Sequence, residues 1–412
     1  MQQTVPEDDT LKLSVAQAPV VRLDTVGLVQ TSTGWLEAFK QVLPIYIATH
    51  IVFLALTYLA TLFKLGNFSG RALPLPILLS SWSRWDSSQF TYIATHGYDA
   101  FYRMAFFPLF PLLERGLAMV VGDPFVAGLL ISNVATLGMF MVLYRLVAED
   151  FGAEHAWRSV LYLAVFPTAF FFAVAYNESL FLCFALLSFY YMRKGYWWLA
   201  GLAALFASLT RSIAICLLVP FAYEYFRQRD FQWRRIGLSV LSCLGILGGV
   251  VIFAIYGYLT FHDPLAFSHA QTGGDWQRHL VFPWVVFLKA YSIIKHNPIL
   301  TFQSIHTVMD LSAILFILAI LILIFVGPWK LAREYWCYAF YAVAIYLFVI
   351  LVPEGGGLPL ASLGRFMLEI FPAFVMLSVI GQQRNFNVYY LCISSSLLAF
   401  LLLQWLTGGW IV

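Results

Sequence analysis

Long apolar runs, separated by shorter polar segments, recur along most of this chain. A run of about 20 apolar residues is long enough to cross the hydrocarbon core of a bilayer as an α-helix. A helix also satisfies its backbone hydrogen bonds internally, which lipid cannot do for it. Clear spans are predicted at about 42–63, 237–260, 306–326, 335–352, 364–380 and 387–406.

The composition agrees with a chain that is mostly surrounded by lipid. It is 61% hydrophobic and 11% charged, whereas a soluble domain carries about 25% charged residues. We therefore predict an all-α polytopic membrane protein with about ten to twelve transmembrane helices. Residues 1–34 are predicted to be a polar tail, and residues 35–412 a single membrane domain.

One stretch leaves the number of spans open. Residues 105–121 are apolar, but Pro108, Pro111, Glu114 and Arg115 interrupt them. Proline removes a backbone donor and kinks a helix. The stretch is therefore either a dipping or interfacial helix or a true span.

Several classes of function are excluded at this stage. The net charge of +3 is small, and the basic residues lie mostly in short loops, so nucleic-acid binding is not expected. The five cysteines lie within or beside apolar stretches and none forms a CxxC pair. This pattern predicts neither a disulfide framework nor a zinc site.

The basic loops predict how the chain is oriented. Short loops rich in Lys and Arg stay in the cytoplasm, and four such segments occur at residues 145–158, 193–194, 227–235 and 330–333. On this scheme two long loops, residues 65–104 and 261–305, lie on the non-cytoplasmic side. The turns that carry Glu178, Arg211 and Arg365 converge on that same side.

Asp86 is the strongest candidate for a catalytic group. It follows Arg84 and Trp85, which are predicted to bind substrate, in the first long loop, which is rich in Ser, Trp and Tyr. Aromatic neighbours exclude water from a carboxylate and tune its pKa, which suits a general base. The alternative is a helix N-cap, since an Asp before an apolar-periodic stretch is a common helix start.

Three further charges stand beside or within apolar stretches, where an ionised group needs a partner or a water-filled cavity. Glu178 follows Asn177 at the predicted tip of a hairpin, and both are predicted to bind substrate. The alternative for Glu178 is a solvated loop tip without a functional role. Arg211 interrupts an apolar run; the alternative to phosphate binding is structural pairing, for example with Glu178. Arg365 opens a span and is either a phosphate ligand or a side chain that snorkels to headgroups.

The second long loop offers further polar groups, among them Asp263, His269 and Gln271. We predict them to be substrate-binding residues. A His/Asp/His metal site is conceivable, but the irregular spacing and the lack of a DxD motif in the chain disfavour it. Arginine can supply the positive charge, so no metal or cofactor is predicted.

An ordered set of short strings extends over about residues 80–375. It comprises Trp85-Asp86-Ser87, Gly97-Tyr98, Phe106-Phe107-Pro108-Leu109-Phe110-Pro111, Phe166-Pro167-Thr168-Ala169, Tyr176-Asn177-Glu178-Ser179, Leu209-Thr210-Arg211-Ser212, Asp263-Pro264-Leu265-Ala266-Phe267 and Gly364-Arg365-Phe366. In this order the strings resemble the PIG-V family, the second mannosyltransferase of glycosylphosphatidylinositol anchor synthesis, and especially its prokaryotic relatives.

The resemblance implies a GT-C glycosyltransferase fold with a long first external loop. It also implies a polyprenyl-phosphate sugar as donor, typically dolichyl-phosphate mannose, and an acidic residue of the first external loop as base, which here is Asp86. We hypothesise an inverting displacement onto a hydroxyl of a glycolipid or another extracytoplasmic acceptor. The expected location is the plasma membrane of a prokaryote or the endoplasmic reticulum of a eukaryote, with the active site on the non-cytoplasmic face.

Two alternatives remain open at this point. The first is a transporter or flippase for a lipid or amphiphile, although transporters usually bind near the bilayer midplane and contain repeated halves, and no repeat is visible here. The second is a non-catalytic membrane assembly partner, for which Asp86→Asn would leave sugar transfer unchanged.

Overall fold

The computed structural model describes residues 34–65, 74–273, 276–298, 300–355, 360 and 362–409. All regular elements in these residues are helices. The α-helices are α1 Trp35–Leu65, α2 Leu75–Ser80, α3 Asp86–His96, α4 Leu109–Val121, α5 Pro124–Phe151, α6 Ala153–Ala164, α7 Glu178–Arg193, α8 Trp197–Thr210, α9 Leu218–Arg227, α10 Leu244–Phe261, α11 Ala266–Thr272, α12 Pro283–His296, α13 Phe302–Phe325, α14 Trp336–Leu351, α15 Leu363–Phe366, α16 Phe371–Ile380 and α17 Arg384–Thr407. The 3-10 helices are Phe101–Ala105, Ala169–Phe172, Ser212–Leu217, Trp233–Arg235, Leu238–Cys243, Arg333–Tyr335 and Met367–Glu369.

Within the described ranges, six helical segments are long and apolar enough to cross a membrane. They are Trp35–Phe63, Pro124–Phe151, Leu238–Phe261, Phe302–Phe325, Arg333–Leu351 and Arg384–Thr407. A seventh span results if the bent pair Leu363–Glu369 and Phe371–Ile380, which meet at 78°, is counted as one. The predicted all-α, multi-pass architecture is confirmed.

The number of spans is lower than the ten to twelve expected from the apolar runs. The apolar stretches around Glu178 and Arg211 are divided into the short helices α6 to α9, which have 10 to 16 residues. At 1.5 Å per residue, the longest of these measures about 24 Å, which is less than the hydrocarbon thickness of about 30 Å. Residues between them, including Ser212–Leu217, form 3-10 turns instead of continuing the helix.

The two segments whose structure was uncertain from sequence are also made of short helices. Helix α4 has 13 residues, buries Phe110 and Glu114 and exposes Met119 and Val120, which agrees with the dipping or interfacial alternative. The first long loop contains α2, α3 and the 3-10 helix Phe101–Ala105, while its residues 66–73 lie outside the described part. The predicted polar tail also lies outside it, except for Gly34.

Glycines allow α8 and α10 to pack at very short distance. A Cβ atom on Gly245 would lie 2.1 Å from the carbonyl oxygen of Gly201, and one on Gly249 would lie 2.2 Å from Ser208 Oγ. The Gly249 amide donates to that same hydroxyl oxygen at 3.0 Å. Small residues four positions apart are a common device for close helix contact in membranes.

Replacing Gly245 by Val should therefore destabilise the bundle. The clash is with backbone atoms of α8, which cannot rotate away as a side chain can, and overpacking of this kind costs about 1–3 kcal/mol. Thermal unfolding in detergent should show a clear loss of Tm. Gly116→Val is the control, because a Cβ on Gly116 has no heavy atom within 4 Å; equal Tm values for the two variants would contradict this packing.

The basic loops meet at one end of the bundle, as the orientation scheme requires. Arg193 donates to Asp150 through Nε and Nη2, at 2.9 Å each, and lies 3.3 Å from Glu224. The Tyr223 hydroxyl donates to the carbonyl of Arg333 at 2.6 Å. Ser132 lies about 25 Å from Asp150 along α5 and donates to the carbonyl of Tyr176, in the turn that precedes Glu178. Helix α5 thus runs from the end with the Arg193–Asp150 ion pair to the end that carries the candidate site.

Candidate active site

Asp86 follows a turn whose backbone is strained. Trp85 has φ 50° and ψ −119°, a region that non-glycine residues rarely occupy, and such residues cost about 1–3 kcal/mol and cluster at functional sites. The Asp86 amide donates to the Tyr176 hydroxyl at 3.1 Å, and this hydroxyl donates to the Arg84 carbonyl at 3.3 Å. Asp86 is the first residue of α3, and Trp85 is the N-cap. The predicted N-cap alternative for Asp86 is therefore wrong.

The Asp86 carboxylate is paired with an arginine from the other half of the chain. Arg365 Nη1 donates to Asp86 Oδ2 at 2.9 Å. Nε and Nη2 of the same guanidinium reach Glu178 Oε1. The side chain of Arg365 is 10% exposed and that of Glu178 is 0% exposed. Neither a snorkelling Arg365 nor a solvated Glu178 fits this arrangement, so both alternatives are wrong.

Arg211 extends this network on its other side. Its Nη1 donates to Glu178 Oε1 at 2.7 Å and to Asn177 Oδ1 at 3.4 Å. The same nitrogen lies 3.0 Å from Glu369 Oε1, an ion-pair contact that lacks hydrogen-bond geometry. Helix α8 ends at Thr210, whose carbonyl accepts from the Asn177 side chain at 2.9 Å. The hydrogen bond from Arg211 to Glu178 confirms the structural pairing that was the alternative for Arg211.

The network contains three carboxylates, Asp86, Glu178 and Glu369, and two guanidiniums, Arg211 and Arg365. A buried charge is tolerated only when partners and hydrogen bonds compensate its loss of hydration. The two arginines already have carboxylate partners, and negative charge is in excess when all five groups are ionised. Their capacity to attract a further anion is correspondingly reduced.

Two cavities open on this network. The first, which we call the Arg211 cavity, has a volume of about 150 Å³, and the second, the Trp85 cavity, has about 590 Å³. Six residues line both: Asp86, Phe106, Trp276, Arg278, Arg365 and Phe366. The two spaces therefore share a wall that contains Asp86, Arg278 and Arg365.

The walls of the two cavities differ in chemistry. Asn177, Arg211 and Gln271 give the Arg211 cavity polar groups, and Phe348 and Val352 give it an apolar wall. Half of the residues that line the Trp85 cavity are aromatic, with Trp85, Tyr102, Tyr176 and Trp405 joining the shared rings, and Gln89, Glu354 and Ser362 add polar groups. Two different molecules could therefore approach Asp86 from two sides.

Most, but not all, of the predicted site residues come together here. Asp86, Asn177, Gln271, Arg211 and Arg365 line the Arg211 cavity, and Trp85 lines the Trp85 cavity, while Glu178 lies beneath both, bound to the arginines. These seven predicted residues thus form one cluster.

Three predicted binding residues do not line either cavity. Asp263 accepts from the Leu265 amide at 2.9 Å and lies 2.7 Å from His269 Nδ1. The hydrogen bond with His269 lowers the pKa of Asp263. Arg84 is directed at the end of α17, where it donates to the Leu406 carbonyl at 3.4 Å. Local pairing and capping account for these side chains, so the structure does not support the binding role predicted for them.

Sequence reasoning missed several residues of the site. Glu369 interrupts an apolar stretch just as Arg211 does, so the same rule could have identified it. Arg278 and Glu354 gave no such local signal, because each lies in a polar loop and only the fold brings them together, with Arg278 Nη2 3.6 Å from Glu354 Oε1. Burial raises the pKa of Glu354 and lowers the pKa of Arg278, while each partner opposes the shift of the other.

Comparisons with known proteins agree with the predicted resemblance. Residues 107–258 match a family described as dolichyl-phosphate-mannose-protein mannosyltransferase, which is of the GT-C type. The GPI alpha-1,6-mannosyltransferase 2 of Rattus norvegicus is 31% identical over 207 residues, or 45% of this chain and 41% of that protein. The GPI mannosyltransferase 2 of Drosophila pseudoobscura pseudoobscura is 29% identical over 231 residues, half of each chain.

The family match covers only part of the site. The aligned regions amount to between 41% and 50% of the length of these two relatives, which is less than two thirds. The family match includes Asn177, Glu178 and Arg211 but ends before Arg278 and begins after Asp86.

Proposed function

We propose that this chain is a membrane mannosyltransferase that moves a mannosyl residue from a polyprenyl-phosphate donor to a hydroxyl of a glycolipid or another extracytoplasmic acceptor. The observation that carries the proposal is that Asp86 lines both cavities, while Arg365 donates to its carboxylate at 2.9 Å. The similarity to GPI alpha-1,6-mannosyltransferase 2 supports the choice of sugar.

Asp86 acts as the general base in the proposed reaction. Among the described residues only its Oδ2 accepts a hydrogen bond, which leaves Oδ1 for the hydroxyl proton of the acceptor. The acceptor oxygen attacks the anomeric carbon as the bond from this carbon to the phosphate oxygen breaks. Polyprenyl phosphate leaves with the electron pair, and the sugar inverts its configuration.

Arg365 couples the proton transfer to the departure of the phosphate. When Asp86 becomes neutral, the guanidinium loses part of the negative charge that it faces, just as negative charge grows on the leaving group. Preorganised donors aimed at developing charge are a large source of catalysis. Glu178 acts as a positioning residue, because it holds Arg365 and Arg211 in fixed orientations.

The proposed active site lies on the non-cytoplasmic face. This assignment rests on the positive-inside rule and on the separation of the ionic end, with Arg193, from the cavities. A donor that is activated through its lipid phosphate needs no nucleotide, so the reaction can run in a compartment without nucleotide sugars.

Transfer from labelled polyprenyl-phosphate mannose tests the proposal. The purified chain in lipid nanodiscs, supplied with a lipid extract of the source cells, should form a labelled product that GDP-mannose does not give under the same conditions. Boiled protein provides the background. Movement of the labelled lipid across liposomes without any product would favour the flippase alternative and contradict the transferase.

A further inference from the structure

Arg278 is the only arginine at the junction of the cavities whose charge is not held by a hydrogen-bonded carboxylate, within the part of the chain that the structure describes. Arg365 and Arg211 each donate to Glu178, and Arg365 also to Asp86. The Nη2 of Arg278 lies 3.6 Å from Glu354 Oε1, beyond hydrogen-bond distance, and its buried Nε has no partner.

The position of Arg278 is fixed by the backbone around it. Its amide donates to the Gln271 carbonyl at 2.9 Å. Two main-chain bonds join its loop to the segment that carries Glu354, from Val281 N–H to the Leu351 carbonyl at 2.8 Å and from Gly355 N–H to the Trp276 carbonyl at 3.0 Å. The contact is so close that a Cβ on Gly355 would lie 2.3 Å from the Gln277 carbonyl oxygen. These contacts fix the backbone from which the Arg278 side chain extends.

We propose that Arg278 binds the phosphate of the donor, and that this phosphate takes the place of Glu354 as the partner of Arg278. The inference rests on the proposed function and names the residue that recognises the donor. A planar guanidinium with free donors binds phosphate in a bidentate manner.

Electrostatics favour this exchange. When all five groups of the network around Glu178 are ionised, carboxylates outnumber arginines there, so an incoming phosphate is attracted less by this network than by Arg278. Glu354 lines the Trp85 cavity, and the proposed exchange moves its carboxylate towards that space. Phe366, whose ring centroid lies 5.4 Å from Arg278 Cζ, stays as a cation–π contact when Glu354 leaves.

Neutralising Arg278 and Glu354 in separate variants tests the proposal, because the expected effects on phosphate binding are opposite. The affinity for polyprenyl phosphate, relative to the neutral polyprenol, is measured with the full chain in nanodiscs of zwitterionic lipid. Arg278→Gln should weaken the preference for the phosphate by about 10- to 100-fold, because charged hydrogen bonds are lost. Glu354→Gln should strengthen it by about two- to fivefold, because the competing carboxylate is removed.

A purely structural ion pair predicts a different pattern. Both variants would then lower Tm and weaken binding together, or leave it unchanged, and either result overturns the proposal. Lys289→Gln is the control, since Lys289 lies in the nearby helix α12 and lines neither cavity. Arg278→Lys, which keeps the charge but not the bidentate geometry, should lose affinity to an intermediate extent and replaces Arg278→Gln if that variant does not fold.

Two further comparisons separate a donor site from a general headgroup site, and donor binding from sugar transfer. An equal molar amount of phosphatidylglycerol should not compete with polyprenyl phosphate; full competition would mean a general headgroup site and would overturn the assignment to the donor. The binding measurement involves no sugar transfer, so it is independent of the transferase test. A chain that binds polyprenyl phosphate through Arg278 but transfers no mannose would contradict the proposed function alone.

Discussion

Asp86→Asn should lower the kcat for mannosyl transfer by about 10²- to 10⁴-fold, the usual contribution of a general base. The amide has the same shape as the carboxylate but cannot take the proton of the acceptor hydroxyl. Arg365 keeps Glu178 as a partner, so the fold should persist. Initial rates at saturating donor, together with Tm and polyprenyl-phosphate affinity, measure the effect on chemistry separately from folding and binding.

Asp99→Asn is the matched control for this experiment. Asp99 lies in the same loop and is also paired with an arginine, Arg103, but it lines neither cavity. We expect its kcat to stay close to that of the wild type. Equal rates for Asp86→Asn and the wild type would remove Asp86 as the base and would agree with the non-catalytic alternative.

Glu178→Gln should have the largest effect on stability. It removes the carboxylate that both Arg211 and Arg365 contact, and the side chain is completely buried. Removing one member of a buried ionic cluster leaves charge uncompensated and costs about 3–5 kcal/mol. Equilibrium unfolding in lipid–detergent mixtures would show the loss, and transfer should fall as well because the guanidiniums lose their fixed orientation.

Glu369→Gln in the same network provides the comparison. Glu369 is just as buried, but its contact with Arg211 at 3.0 Å lacks hydrogen-bond geometry, and the network has one carboxylate more than it has arginines. Glu369→Gln should therefore lower the free energy of unfolding by less than Glu178→Gln does. If Glu369→Gln were the more destabilising variant, the central role assigned to Glu178 would be wrong.

The alternatives that the sequence left open were decided by burial. A hairpin tip with Asn177 and Glu178 is compatible with a solvated loop, and only packing shows that Glu178 has no exposed surface. In the same way, a charge at the start of an apolar run permits snorkelling until Arg365 is found between Asp86 and Glu178. Sequence patterns report which residues need a partner, but not whether water or another side chain provides it.

The sequence by itself determined the class of protein and most of the site. Apolar runs and isolated charges are local features, and the high energy of an unpaired charge in lipid marks Glu178, Arg211 and Arg365 without any coordinates. Only the tertiary structure decided the partners, because ion pairs join positions as far apart as Asp86 and Arg365, 279 residues along the chain.

The same distinction explains what sequence reasoning missed. Asp263 and His269 are polar and lie in the expected loop, but they satisfy each other away from the cavities. Arg278 and Glu354 are unremarkable in their own loops and come together because main-chain hydrogen bonds join those loops. The order of the residues shows where a charge lies in an apolar stretch and needs a partner. Which distant charge becomes that partner depends on how helices and loops pack.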